Sequence, residues 1–124
     1  MENKNNISVN YTLEDDLYTI QLVDNIAQAE IGFANFKFTK NRGVWLYNIK
    51  INEGYQSKGY GKKLLKLFED FCVAQRRFFV EGKYYPTNDH AKPFYLKNGY
   101  SIDIDGNDQF IFKYLPEKTC ELEK

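Results

Sequence analysis

The sequence predicts an α/β (α+β) domain with a mixed, mostly antiparallel sheet, a central parallel strand pair and two main helices. Four strand-like segments open the chain without helical periodicity, and an amphipathic helical segment then separates two apolar strands. A second, shorter helical segment precedes a closing hairpin. A strand, helix, strand order is a crossover, so the two strands that flank the first helix should be parallel neighbours.

The first four strands are indicated by alternating apolar residues and by turns rich in Asn, Asp and Gly. We place these strands at 7–13, 17–23, 30–39 and 44–51, with turns at 14–16, 24–25 and 40–43. In the fourth strand the odd positions share one face; they are Trp45, Tyr47, Ile49 and Ile51. This half of the chain therefore predicts an antiparallel meander.

The helices are indicated by apolar spacing and by helix start and stop signals. Between 60 and 74 the apolar positions follow the spacing of a helix with one buried face; they are Leu64, Leu65, Phe68, Phe71 and Cys72. A second helix is expected at 88–97, with Asn88 or Asp89 as its N-cap and Gly99 at its stop. The remaining strands are placed at 77–81, 100–104 and 110–115.

Composition limits the classes of protein to consider. The 124 residues suit a single domain, with 116–124 expected to be a flexible tail. Seventeen basic and seventeen acidic residues give a net charge of zero, which argues against nucleic acid as a partner, and no apolar stretch suggests a membrane span. Two cysteines, Cys72 and Cys120, fit a reducing cytoplasm better than a disulfide. No residue cluster has metal-ligand spacing, so no metal is expected.

The most informative segment is the glycine-containing stretch 56–62 between the fourth strand and the first helix. Glycines allow backbone amides to turn toward one point, and the following helix adds its positive N-terminal end, which together suit a pyrophosphate. A P-loop is excluded because Tyr60 and Gly61 follow Gly59 where Lys and Ser or Thr are required. A dinucleotide fingerprint is excluded because Leu64 replaces its third glycine, and a kinase glycine loop because that loop is a hairpin.

The remaining pattern, Gln-x-x-Gly-x-Gly, resembles the acyl-CoA loop of the GNAT N-acetyltransferase superfamily. The segment 88–100, with its Asn, Ala, Tyr and Gly-Tyr, resembles that family's later motif, and the resemblance covers about 33–115. Two departures stand out. The first is that only 14–16 separates the first two strands, where the family usually inserts one or two helices. The second is that the stretch 80–88 is longer than usual and could form part of the wall of the acceptor pocket.

The resemblance implies acetyl-CoA as cosubstrate and assigns roles to individual residues. The two parallel strands would splay apart so that pantetheine lies between them and pairs with strand backbone at Ile49 and Ile51. Asn88 would reach the pantetheine arm, and Tyr95 would contact the cofactor and act as general acid. The pyrophosphate cradle would comprise Gln56, Ser57, Lys58, Gly59, Tyr60, Gly61 and Lys62. The alternative for Tyr95 is a core aromatic whose hydroxyl is bonded to a neighbour.

The general base is open. Glu53 and Glu81 lie near the ends of the two parallel strands, and Glu30 is a more remote third candidate. The only histidine, His90, stands at a helix start, which suggests capping or exposure to solvent. Direct attack of the amine on the thioester needs no cysteine nucleophile.

The expected function is therefore transfer of an acetyl group to a primary amine of a small molecule or a protein. One alternative is a non-catalytic acyl-CoA binding or sensing module on the same fold. Another is an interaction domain with an aromatic surface formed by Tyr84, Tyr85 and Tyr100. The acceptor is open, and so is the oligomeric state, for which a homodimer is one choice.

Overall fold

The computed structural model of the chain describes residues 6–85 and 91–117. Seven strands and two helices lie within these residues. The strands are β1 (Ile7–Glu14), β2 (Leu17–Asp24), β3 (Ala29–Phe38), β4 (Gly43–Ile51), β5 (Phe79–Tyr84), β6 (Ser101–Asp105) and β7 (Asp108–Tyr114). The helices are α1 (Tyr60–Ala74) and α2 (Ala91–Lys97). The predicted tail beyond Glu117, Cys120, and the residues 86–90 with Asn88 and His90 lie outside the described residues.

The strands form one mixed sheet in the order β1-β2-β3-β4-β5-β7-β6. The pair β4 and β5 is parallel, with α1 between these strands in the chain. The predicted fold class, including the crossover, is confirmed. Neither helix of the described part has the length and apolar character that crossing a bilayer requires.

The chain divides into two compact units, the first of which holds the described residues up to Lys37 together with Leu46–Phe68. Its hairpins are antiparallel, β1 with β2 and β2 with β3. The β1–β2 turn places Asp15 and Asp16 at φ 53° and 69°, and two successive left-handed residues define a two-residue hairpin turn. The core of this unit comprises Ile20, Leu22, Ile31, Ala34, Phe36, Leu46, Leu64, Leu65 and Phe68.

Close packing of β3 on β4 depends on Gly32. A Cβ atom at this position would lie 2.6 Å from Ile51 Cδ1 and still closer to the backbone oxygen of Lys50. Only glycine therefore allows this approach, and it fixes the end of β4 from which the glycine-containing segment departs.

The second unit holds Phe38–Trp45 and the residues from Glu69 onward. In it β7 pairs antiparallel with both β5 and β6. Its core comprises Val44, Cys72, Val80, Tyr84, Tyr100, Ile111 and Leu115. Because Tyr84 and Tyr100 are only 6% and 3% exposed, the predicted aromatic interaction surface is wrong, and Tyr85 alone of the three is exposed.

The predicted limits of β5 are wrong at both ends. Phe79 is its first residue, because Arg77 still belongs to the end of α1 through a bond from its backbone N to Cys72 O. Pairing with β7 continues to Tyr84 opposite Gln109, so the stretch predicted as a possible acceptor wall begins as strand.

Helix α2 ends in a Schellman motif, which confirms the predicted stop. Gly99 has a φ of 93° and donates its N–H to Leu96 O at 3.2 Å, and Tyr100 N donates to Tyr95 O at 3.0 Å. Tyr100 therefore closes the helix end, and β6 begins one residue later than predicted.

Helix α1 ends in the same motif without a glycine. Arg76 N donates to Val73 O at 2.9 Å and Arg77 N donates to Cys72 O at 3.0 Å, which places Arg76 at the left-handed position with a φ of 61°. A left-handed conformation costs a residue with a side chain roughly 1–2 kcal/mol. The chain therefore accommodates an arginine where glycine is preferred.

Candidate functional site

The segment that follows β4 begins with a tight turn. Tyr55 N donates to Asn52 O at 3.0 Å, and Gly54 has a φ of 98° at the third position of this turn. A positive φ there defines a type II turn and favours glycine. The turn sets the direction in which the chain leaves the sheet.

Asn52 fastens this turn to β3. Its backbone N donates to Ile31 O at 2.8 Å, and its side-chain Nδ2 donates to both the backbone oxygen and Oε1 of Glu30 at 3.0 Å. Gln21 Nε2 donates to the other carboxylate oxygen of Glu30 at 2.9 Å. These hydrogen bonds lower the pKa of Glu30, with the bond from Gln21 as the largest cause. Glu30 is therefore held as a carboxylate and is a poor base.

Tyr55 fastens the other end of the turn to β2. Its Oη donates to Asp24 Oδ2 at 2.8 Å, while Asp24 Oδ1 accepts bonds from the backbone N of Ile26 and Ala27. The bond from Tyr55 is the main reason that the pKa of Asp24 is lowered, and the same bond raises the pKa of Tyr55. A carboxylate that is ionised at neutral pH thus holds the turn.

Gln56 braces the start of the predicted cradle. Its Nε2 donates to Ile51 O at 2.9 Å, so this side chain ties the segment back to the last residue of β4. The predicted residues Ile49 and Ile51 are both partly buried in this strand.

The cradle itself is open. Ser57 and Gly59 have φ values of 63° and 88°, and a Cβ atom on Gly59 would meet no atom within 4 Å. Helix α1 starts directly afterwards, since Lys63 N donates to Gly59 O at 3.2 Å. The first backbone N–H groups of a helix have no intrahelical acceptor, so those of this first turn are available to a ligand beside an unfilled space.

The charges around this helix start favour an anion. The first turn of α1 contains no acidic residue, and Lys58, Lys62 and Lys63 are exposed around it. Basic residues at a helix N-terminus add to the positive end of the macrodipole, which is unfavourable unless an anion binds. The segment thus suits the pyrophosphate of an acyl-CoA.

Tyr95 lies in α2 with its ring against Phe94 and Tyr100, at centroid distances of 5.5 Å. Burial raises the pKa of Tyr95 to about 12, so its hydroxyl remains protonated at neutral pH. Within residues 6–85 and 91–117 this hydroxyl has no hydrogen-bond partner. Tyr95 is partly buried, and among the described residues no fully buried side-chain oxygen or nitrogen lacks a partner, so this hydroxyl is in contact with solvent.

Tyr100 provides the contrast. Its Oη donates to Glu69 Oε2 at 2.6 Å, and Lys113 Nζ donates to Glu69 Oε1 at 3.0 Å and to Asn98 O at 2.9 Å. Burial, and next the Glu69 carboxylate, raise the pKa of Tyr100. The hydroxyl of Tyr100 therefore has a structural role.

The two candidate bases differ in setting. Glu53 is exposed in the turn after β4, whereas Glu81 lies in β5, is partly buried and pairs with Phe112 of β7.

Burial raises the pKa of the Cys72 thiol, which therefore stays protonated and is not a nucleophile.

The predicted site residues are distributed over both units. The cradle, Ile49, Ile51 and Glu53 belong to the first unit, Tyr95 and Glu81 to the second, and Asn88 is not among the described residues. The sequence interpretation missed the anchors Asp24, Asn52 and Tyr55. The Asn-x-Gly-Tyr sequence of the turn is the only local signal for Asn52 and Tyr55, and no local signal indicates Asp24.

The chain thus combines a mixed sheet that contains a parallel strand pair with an open glycine-containing segment at the start of α1. The family model described as acetyltransferase (GNAT) domain matches residues 13–102, and the chain belongs to this family. No curated protein matches the chain.

Solved structures of the same fold include several acetyltransferases. A GNAT-family acetyltransferase from Staphylococcus aureus is 20% identical with a TM-score of 0.74, over 82% of this chain and 69% of that one. The PaiA N-acetyltransferase from Thermoplasma acidophilum, in complex with coenzyme A, is 23% identical with a TM-score of 0.71, over 80% of this chain and 61% of that one. Nourseothricin acetyltransferase is 15% identical with a TM-score of 0.67, over 90% and 84% of the two chains.

Proposed function

We propose that the protein is an acetyl-CoA-dependent N-acetyltransferase that acts on a primary amine. The observation that carries the proposal is the open segment 56–62 at the basic N-terminus of α1, in a chain of the GNAT family. The coenzyme A complex of the Thermoplasma protein supports the same ligand class.

Acetyl-CoA would supply the acetyl thioester. The amides of the segment from Ser57 to Lys62 would hold its pyrophosphate, Gln56 would keep that segment on β4, and strand backbone at Ile49 and Ile51 would orient the pantetheine. Asn88 is proposed as a further contact on the strength of its motif alone.

Tyr95 would hold the proton that the departing thiolate needs. Its raised pKa keeps the hydroxyl protonated, and its lack of a bonded partner in the described chain leaves the proton free for transfer. Glu53 and Glu81 are the proposed bases that would accept a proton from the ammonium form of the acceptor. The lowered pKa of Glu30 argues against that residue.

Release of free thiol from acetyl-CoA in the presence of a panel of small-molecule and peptide amines tests the activity. Release that depends on one class of amine supports the proposal and identifies the acceptor. Binding of acetyl-CoA without thiol release from any amine would instead indicate a non-catalytic acyl-CoA binding module.

The cofactor segment is tested by a matched pair of glycine variants, Gly59→Leu and Gly106→Leu. Both glycines have positive φ values and open space at Cβ, so both variants carry the same kind of backbone strain. CoA and acetyl-CoA should raise the melting temperature of the wild type, and should do so more than ATP or NAD. We expect the same rise with the Gly106→Leu variant. Gly59→Leu should lose the rise, and an undiminished rise in it would exclude this segment as the site.

A further inference from the structure

Three arginines surround a small cavity in the second unit, where α1 ends and β5 begins. The cavity has a volume of about 100 Å³ and is lined by Arg42, Arg76, Arg77, Phe78 and Glu117. None of these residues belongs to the segments discussed for acyl-CoA or for Tyr95.

Arg77 is fixed in position by its surroundings. Its Nη2 donates to Thr39 O at 2.6 Å, its Nε donates to Gly43 O at 3.3 Å, and its guanidinium lies 4.3 Å from the centroid of the Phe38 ring. Its Nη1 donates to none of residues 6–85 or 91–117. The guanidinium is therefore held in place while one of its N–H groups has no acceptor among these residues.

Arg42 and Arg76 both occupy backbone positions that favour glycine. Arg76 holds the left-handed position of a Schellman motif with a φ of 61°, whereas the same motif at the end of α2 uses Gly99. Arg42 has a φ of 68° in the turn between β3 and β4, even though Gly43 is its neighbour. Two strained arginines that line one cavity indicate that their side chains are needed there.

The charge of the cavity indicates the ligand. The residues that line the cavity include three arginines and one acidic residue, Glu117, and no ion pair within 4.0 Å involves any of the three arginines in the part of the chain that the structure describes. Two positive charges therefore lack a counter-charge. A phosphate group carries about −1.5 to −2 near pH 7 and accepts paired bonds from guanidinium, so it matches this deficit better than a carboxylate.

We propose that Arg42, Arg76 and Arg77 form a binding site for a phosphate group. The cavity admits the phosphate itself, and the partly exposed Phe78 ring, over which Arg42 lies at 5.6 Å, borders it. This site is independent of the proposed acetyl transfer.

The test uses the full chain and inorganic phosphate, with chloride at equal ionic strength as the control. Phosphate at about ten times its dissociation constant should raise the melting temperature by about 5 °C. The variant Gly59→Leu should keep this rise, which separates the arginine site from the acyl-CoA segment. A rise that chloride reproduces, or that Gly59→Leu abolishes, would overturn the proposal.

Glycine substitutions separate ligand binding from a structural role. Arg42→Gly and Arg76→Gly relieve the left-handed strain, so each should leave the melting temperature unchanged or raise it by about 1–4 °C without phosphate. Both should lose the phosphate-dependent rise, whereas Lys40→Ala in the same turn should keep it. Glycine variants that melt lower and still respond to phosphate would show that these arginines serve the fold alone.

Free phosphoserine distinguishes the source of the phosphate group. Stabilisation by phosphoserine as well as by inorganic phosphate supports a phosphate monoester as ligand. Stabilisation by inorganic phosphate alone supports the free ion. The proposal fails if neither stabilises the protein.

Discussion

Two neighbouring tyrosines differ in how their hydroxyl groups are used. The rings of Tyr95 and Tyr100 lie 5.5 Å apart, and burial raises the pKa of both. The Tyr100 hydroxyl donates a hydrogen bond to Glu69, whereas the Tyr95 hydroxyl has no partner among the described residues. This contrast makes Tyr100 the natural control for the proposed acid.

Removing each hydroxyl in turn should therefore give opposite results. Tyr95→Phe should lower the rate of acetyl transfer by about 10²–10⁴-fold, the usual range for a positioned acid, with little change in melting temperature or acetyl-CoA affinity. Tyr100→Phe should destabilise the fold by about 1–3 kcal/mol, because Glu69 loses a charge-assisted hydrogen bond and keeps only those from Lys113, and should retain most activity.

Thermal melting and single-turnover kinetics on both variants provide the measurement, since single turnovers exclude product release as the limiting step. A Tyr95 variant whose chemical step stays within a few-fold of wild type would remove this residue as the acid.

At this scale the sequence indicates residue types better than their contacts. The motif at 88–100 selects Tyr95, but only the folded structure reveals that its hydroxyl is unbonded among the described residues and that Tyr84 and Tyr100 are buried. Likewise, the turn at 40–43 is predicted from Asn41 and Gly43, yet the left-handed residue is Arg42. Gly43 is needed instead because a Cβ there would overlap the Phe79 ring.

At the scale of elements, the turn Asn52–Tyr55 connects the sheet to the helix start. Side chains from β2 and β3 hold both ends of this turn, through Asp24 and Glu30. Because these bonds act on the turn and not on the ligand, they should affect cofactor affinity through the position of the cradle.

Tyr55→Phe tests this anchoring. The variant removes the 2.8 Å bond to Asp24 but retains the ring, which packs edge-on against Tyr60 at 6.1 Å. We expect KM for acetyl-CoA to rise roughly 2–10-fold while kcat changes little. Tyr114→Phe, at an exposed position, is the control. An equal loss of kcat, or no change in KM, would contradict a positioning role.

The ends of an element can be predicted only where they depend on local sequence and not on contacts with distant segments. The helix α1 is predicted to the residue, because apolar spacing and flanking signals are local. The strand β5 is misplaced at both ends, because its start depends on the Schellman motif of α1 and its end on the register with β7.

At the scale of the whole molecule, each of the two compact units has its own apolar core. The order of elements and the parallel pair are predictable, since crossover rules leave few topologies. The anchors of the turn and the arginine cavity are not predictable, because they join residues that lie far apart in the chain: Asp24 with Tyr55, and Arg42 with Arg77.

Alkaline pH should destabilise the whole molecule through two phenols that folding shields from water, the buried Tyr100 and the partly buried Tyr95. The pKa of Tyr95 rises from 10.0 to about 12 on folding, and that of Tyr100 is also raised. A raised folded-state pKa means that the unfolded chain loses its proton first. The stabilisation is therefore complete below pH 10 and is lost as pH rises through the folded pKa, by about 1.4 kcal/mol per pH unit for each group.

Melting temperatures measured across pH 10 test this linkage. The double variant Tyr95→Phe/Tyr100→Phe should start lower because Glu69 loses its hydrogen bond from Tyr100, but its melting temperature should fall less steeply with pH than that of the wild type. Tyr114→Phe, in which an exposed hydroxyl is removed, is the matched control. Parallel curves for the double variant and the wild type would mean that alkaline unfolding has another origin.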